Sequence, residues 1–151
     1  MAPARGRAAI IDRATLCLIN RIRLRHGLRR LSHSRALGGV ATGQSHDMVR
    51  GNYFADKSLL GRRPLARIMV ALHPARPVGL SLSTAQNIGW GVGSAATPAG
   101  MVRAWMRSPP HRHIMLSPLY REAGVGVAFT LPRVLGRGSV GATYTVDFAT
   151  G

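Results

Sequence analysis

The segment Ala123-Gly124-Val125-Gly126-Val127 limits the fold of this chain more than any other. Its valines read as a strand, and its glycines thin that strand, so another element is expected to lie close against it. The strand should span residues 123–131, entered from Glu122. Upstream, a helix carrying Trp105 stops at Ser108-Pro109-Pro110. Proline disfavours helical backbone in the residue before it and cannot donate a backbone hydrogen bond. The two prolines are therefore expected to present His111 at a chain reversal and not on a helix face.

The rest of the chain divides by periodicity. Residues 1–9 read as a disordered basic arm, and residues 10–151 as one domain. From 10 to 26, Ile11, Ala14, Leu18 and Ile22 recur at helical spacing, with Arg13, Arg21, Arg23 and Arg25 mostly elsewhere on the wheel, and Gly27 stops the helix. Ser34 reads as the N-cap of a second helix in which Leu37, Val40, Ala41, Gln44 and Met48 share a face, and Gly51 ends it. Gly38, Gly39 and Gly43 in that helix imply either a tightly packed neighbour or lost stability, at about 1 kcal/mol each. Residues 53–58 read as a loop, and 63–72 as a short helix begun by Pro64. Residues 73–83 read as an irregular excursion, and 86–91 as a short strand. Thr97-Pro98 opens the helix of Trp105. The last strands are 123–131 and 141–149, joined by a turn at 135–139. Strands gathered towards the C-terminal half make this an α+β chain.

Charge narrows the partners. The net charge of +16 arises from 20 Arg and a single Lys against five acidic residues. Such a surface cannot pair its cations internally and favours anionic partners. Arg21, Arg23, Arg25, Arg29 and Arg30 form the densest patch. Few aromatics and no nucleic-acid module leave specific nucleic-acid binding without support. Cys17 is the one cysteine, so no intramolecular disulfide forms, and its apolar neighbours suggest a buried thiol. No leader-like apolar run is visible after Met1, and no segment approaches a membrane-spanning length. A Gly-x-Ser-x-Gly elbow, a phosphate loop and zinc-spaced cysteines are all absent from the sequence, so no motif names a nucleophile.

The tryptophan helix, the turn at Ser108-Pro109-Pro110-His111-Arg112 and the strand entry at Glu122 resemble the bacterial branch of the CAP superfamily (cysteine-rich secretory proteins, antigen 5 and pathogenesis-related proteins). Four further pieces match in order. They are Cys17-Leu18-Ile19-Asn20 with Arg25-His26-Gly27-Leu28; His46-Asp47-Met48 before Tyr53-Phe54; Gln86-Asn87-Ile88-Gly89-Trp90-Gly91; and Tyr144-Thr145-Val146-Asp147-Phe148. The resemblance implies a three-layer α/β/α sandwich around a small antiparallel sheet. It also implies an extracellular or cell-envelope location.

In such relatives two His and two Glu can line a cleft and hold a divalent metal such as zinc. Carried over, the first His position is Asp56, the Glu positions are Gln86 and Ser108, and only His111 is kept. Gln86 has the shape of Glu but not its charge, and cannot act as a general base. No cofactor is therefore expected, His111 and Asp56 being weak metal candidates. His111, Asp56, Gln86 and Trp90 are candidate ligand-binding residues. Glu122 either orients His111 or serves as a strand-entry carboxylate pairing with Arg112 or Arg121. His113 is expected to face solvent; His26, His33, His46 and His73 read as surface or cap residues. Trp90 and Trp105 read as core, with the lining of an apolar groove as the alternative.

Three functions follow. The first is a monomeric, non-catalytic domain binding an anionic envelope surface or a small lipidic ligand. The second is a His111-dependent hydrolase, and the third a non-specific nucleic-acid-binding protein.

Overall fold

The computed structural model describes residues 2–56, 61, 64–72, 82–136 and 140–151. The expectations placed on Lys57 and Ser58, on Arg63, on residues 73–81 including His73, and on residues 137–139 lie outside these. In order the elements are α1 (Ala2–Arg25), β1 (Ser32–His33), α2 (Arg35–Arg50), α3 (Pro64–Leu72), β2 (Thr84–Val92), α4 (Pro98–Arg107), α5 (Pro109–Met115), β3 (Glu122–Ala128) and β4 (Gly141–Ala149). The sheet has four strands in the order β1-β3-β4-β2. It is antiparallel except for the short parallel pair of β1 with β3. Helices α2 and α3 cover one face, and α1, α4 and α5 the other. This is the three-layer sandwich.

The glycines of β3 set the spacing of one layer. A methyl group added at Gly124 would fall on the backbone of Leu37 and Gly38, and one added at Gly126 on that of Ala41 and Thr42. The close approach expected from the sequence is real, but the strand supplies the room. Gly39 and Gly43 of α2 would meet nothing within 4 Å, so the helix glycines are not what the packing requires. Ser45 fixes the contact, its Oγ donating to Gly126 O at 3.0 Å and pairing with Thr145 Oγ1 at 2.8 Å. Ser34 caps α2 as expected, accepting from Leu37 N–H at 3.2 Å.

The larger core fills the other layer, where Ile19, Met101, Trp105, Tyr144, Val146 and Phe148 are buried together. Trp105 meets Tyr144 edge to face, with ring centroids 6.3 Å apart, and its Nε1 donates to Ile88 O at 2.9 Å. Both polar tips in the pair are satisfied, since Tyr144 Oη donates to Ala96 O at 2.7 Å.

Several expectations are corrected. Helix α1 takes in residues 2–9, which the sequence suggested were a disordered arm. Alanine and arginine favour helix, Arg7 stacks on Phe129 at 5.0 Å, and Ala8 packs on the core. Strand β3 ends at Ala128, short of residue 131. Cys17 is exposed, because its neighbours Leu16 and Ile19 take the inward side of α1. Trp90 is 43% exposed and lies on an edge strand, so it is not core.

Arg23, grouped by sequence with the surface cations, is only 1% exposed. Its guanidinium donates to Arg29 O at 3.0 Å, Met115 O at 2.7 Å, Ser117 O at 2.9 Å and Tyr120 O at 3.4 Å. It ties the chain after α5 to the end of α1. Gly27, at φ +71°, closes that helix, with Leu28 N–H on Arg23 O at 2.9 Å.

Candidate functional site

Strand alternation points Gln86 of β2 and Asp147 of β4, which are register partners, to the α2–α3 face. Gln86 Nε2 donates to Asp147 Oδ1 at 2.6 Å. Asp147 is 0% exposed. Burial pushes its carboxyl up to about 7, against the opposing pull of Gln86 and the Arg67 charge. Gln86 Oε1 and Asp147 Oδ2 are buried without a hydrogen-bond partner among the described residues.

The loop after α2 is held from α2 and α3. Gln44 Nε2 donates to Ala55 O at 2.8 Å and Asp56 O at 3.4 Å, while Arg67 Nη2 donates to Asp56 O at 2.6 Å. Asp56 thus takes part through its carbonyl, and the residue itself is exposed. Tyr53 anchors the loop by donating to Asp47 Oδ2 at 2.6 Å; its hydroxyl is pushed up to about 12 by burial and that bond. Gln44 Oε1 and Arg67 Nε are also buried and unmatched. Among the described residues, three acceptor oxygens and one N–H donor on this side of the sheet are thus without partners: Gln44 and Arg67 meet at Asp56 O, Gln86 and Asp147 pair with each other, and only the Arg67 charge links the two pairs.

His111 belongs to the opposite layer. Contrary to expectation it lies on a helix, in the first turn of α5, because Pro109 and Pro110 occupy positions where a helix leaves N–H groups unpaired anyway. Ser108 stands at the N-cap of α5 but makes no backbone cap. Its Oγ instead meets His111 Nδ1 at 2.7 Å. Burial lowers the His111 pKa, so the ring is neutral at neutral pH. Asn87 Nδ2 donates to His111 O at 3.1 Å. Gln86 and Asn87 are neighbours on β2, so they point to opposite faces. His111 and Gln86 therefore lie on opposite sides of β2, the edge strand that also carries Trp90, and the structure does not bring their side chains together.

Glu122 opens β3, with β4 between it and β2, and the group at His111 Nδ1 is a serine hydroxyl, not a carboxylate. His113 is exposed. Among the described residues, no three His, Cys, Asp or Glu side chains gather as a metal-binding group. Sequence reasoning gave no role to Asp147, Asn87, Gln44 or Arg67. The one available signal was Asp147 itself, an acid set among the apolar residues of a closing strand.

The model of the cysteine-rich secretory protein family (CAP) matches residues 16–131. The chain is 34% identical over 110 residues to the uncharacterised protein YkwD of Bacillus subtilis (strain 168), covering 72% of this chain and 39% of YkwD. It is 31% identical over 118 residues to the uncharacterised membrane protein YlbC of the same organism, covering 77% of this chain and 31% of YlbC. The chain thus spans well under half the length of these curated relatives. Among solved structures, an extracellular protein containing a SCP domain from Bacillus anthracis str. Ames superposes with a TM-score of 0.75 at 23% identity, over 100% of this chain and 44% of that one. An outer surface protein from Borrelia burgdorferi gives 0.69 at 19% identity, over 89% of this chain and 88% of that one. These two likenesses establish the fold. Among the described residues, no helix is long and apolar enough to cross a membrane.

Proposed function

The chain belongs to the cysteine-rich secretory protein (CAP) family, and from that premise we propose that it is a non-catalytic binding domain acting at the bacterial envelope. The observation that carries this reading is the Gln86–Asp147 pair. Where a cleft carboxylate would stand there is a neutral amide, and that amide is committed to a buried acid at 2.6 Å. The residues carried over for zinc do not fit it, since Gln86 is neutral, Asp56 turns its carbonyl to Gln44 and Arg67, and His111 Nδ1 faces Ser108. The exposed Trp90 offers a ligand an apolar rest beside the edge strand. Relatives described as extracellular and outer-surface proteins support the envelope setting, and the charge of +16 would draw the domain to anionic lipids or wall polymers.

The test is binding to vesicles containing phosphatidylglycerol, and to isolated wall polymer, at about 0.15 and about 0.5 M NaCl. Binding that survives the higher salt and is lost in Gln86→Leu or Trp90→Ala supports a cleft ligand. Binding abolished by salt and indifferent to both variants reduces the interaction to charge.

One observation favours a second reading. A serine hydroxyl 2.7 Å from a neutral imidazole nitrogen is the arrangement of a nucleophile with its base. Under that reading an activated ester is hydrolysed, and Ser108→Ala and His111→Ala each abolish turnover. Turnover unchanged in both variants rules it out.

A further inference from the structure

We infer that the outer side of α1 carries a second site, remote in kind from the His111 region, which takes an acidic, extended segment of a partner protein. A groove of about 760 Å³ runs between α1 and the chain entering β1. Leu24, 47% exposed, is its accessible apolar residue, with the buried Leu16 and Leu31 beneath it, and Arg13, Arg21 and Arg30 supply its charge. The three arginines are exposed, and no acidic side chain lines the groove. Arg13 and Arg21 lie about 12 Å apart along the helix axis at 1.5 Å per residue, a spacing matched by carboxylates about four residues apart on an extended chain. Asn20 pins the groove wall, donating to Leu31 O at 3.0 Å and accepting from Leu31 N–H at 2.7 Å.

The occupant has to come from another molecule. The five acids of this chain are Asp12, Asp47, Asp56, Glu122 and Asp147, and none of them lines the groove. A second copy would bring the same +16, so self-association through this face is opposed electrostatically. The sheet edge favours a polypeptide over other polyanions. Ser32 and Ser34 N–H donate towards β3, to Arg121 O and Ala123 O, at 2.9 Å each. By alternation the N–H and C=O of His33, which lines the groove, point to the open edge of β1. An extended segment can pair with that backbone, rest an apolar side chain on the exposed Leu24 and set carboxylates against the arginines.

Cys17 lines the same groove and is exposed, so its alkylation by a neutral maleimide reports occupancy directly. The probe is a peptide of about ten residues alternating Glu with Val, compared with its Gln-for-Glu counterpart and with phosphatidylglycerol vesicles. The Glu peptide should bind and slow Cys17 alkylation, and Arg13→Glu with Arg21→Glu should weaken binding by about tenfold or more. Arg103→Glu with Arg133→Glu, exposed and outside the groove, carries the same charge change and should alter binding by less than about twofold. Equal losses in the two double variants, equal binding of the Gln peptide, or peptide binding that leaves Cys17 alkylation unchanged would each overturn the assignment. Protection of Cys17 by vesicles and not by the peptide would overturn it in favour of a lipid surface.

Discussion

Arg23 is a cation whose described partners are all backbone carbonyls, and burial together with the nearby Arg121 lowers its pKa. Its planar fork reaches four carbonyl oxygens from two separate stretches of chain. Arg23→Met should cost on the order of 3 kcal/mol or more in urea unfolding, and Arg23→Lys an intermediate amount, because an ammonium cannot span the same set. Asp147 gives a prediction of opposite character. Its folded pKa, about 7, lies well above the roughly 3.9 of an unfolded Asp. The stability tied to its protonated form is fully present below about pH 4 and is lost as pH rises through about 7, with a slope of up to about 1.4 kcal/mol per pH unit. Unfolding free energy measured from pH 5 to 8 should therefore fall, and Asp147→Asn should flatten the fall. Asp12, also raised to about 7 by burial, leaves a residual slope. Arg23 was not legible as a buried cation, because it has the same letter as the surface arginines, and Asp147 gave one signal only, its place among the apolar residues of a closing strand. Gln86 was singled out for its missing charge, but its partner lies 61 residues away.

At the level of elements, the α2–β3 contact separates glycines that packing needs from glycines that it does not. Gly39→Ala and Gly43→Ala, at open positions on the helix, should each stabilise the fold by about 0.4–1 kcal/mol. Gly126→Ala should destabilise it by about 1–3 kcal/mol or more, since the added methyl meets helix backbone. Thermal unfolding of the three variants checks both signs. The sequence showed that a close approach exists but not which partner gave way, because glycines stood on both sides. The prolines before His111 were ambiguous for a similar reason. The residue before a proline is pushed out of the helix, yet the proline itself suits a first helical turn. The rule for termination applies to Ser108, and the rule for initiation to Pro109 and Pro110, so α4 ends and α5 begins at the same place.

For the whole molecule, charge is the dominant fact. With Asp12 and Asp147 both titrating near neutrality, the formal count of +16 understates the positive charge at pH 7. Self-repulsion should make the fold salt-sensitive. Raising NaCl from about 0.01 to about 0.3 M should increase Tm by about 2–4 °C, the shift that ~1 kcal/mol gives a chain of this size. A Tm that stays level or falls would show that the cations are already neutralised within the fold. The order of the elements other than β1 and α5, the cap at Ser34, the cap at Thr97 on Gly100 N–H, the glycine-thinned strand and the charge were determined by the sequence alone, because each depends on neighbours a few residues apart or on composition. Only the tertiary structure decided that Ser108 meets His111 in preference to a backbone cap, that Gln86 is held by Asp147, and that Arg23 turns inward. Those outcomes depend on which groups are brought together and shut away from water, and a linear pattern carries no record of desolvation.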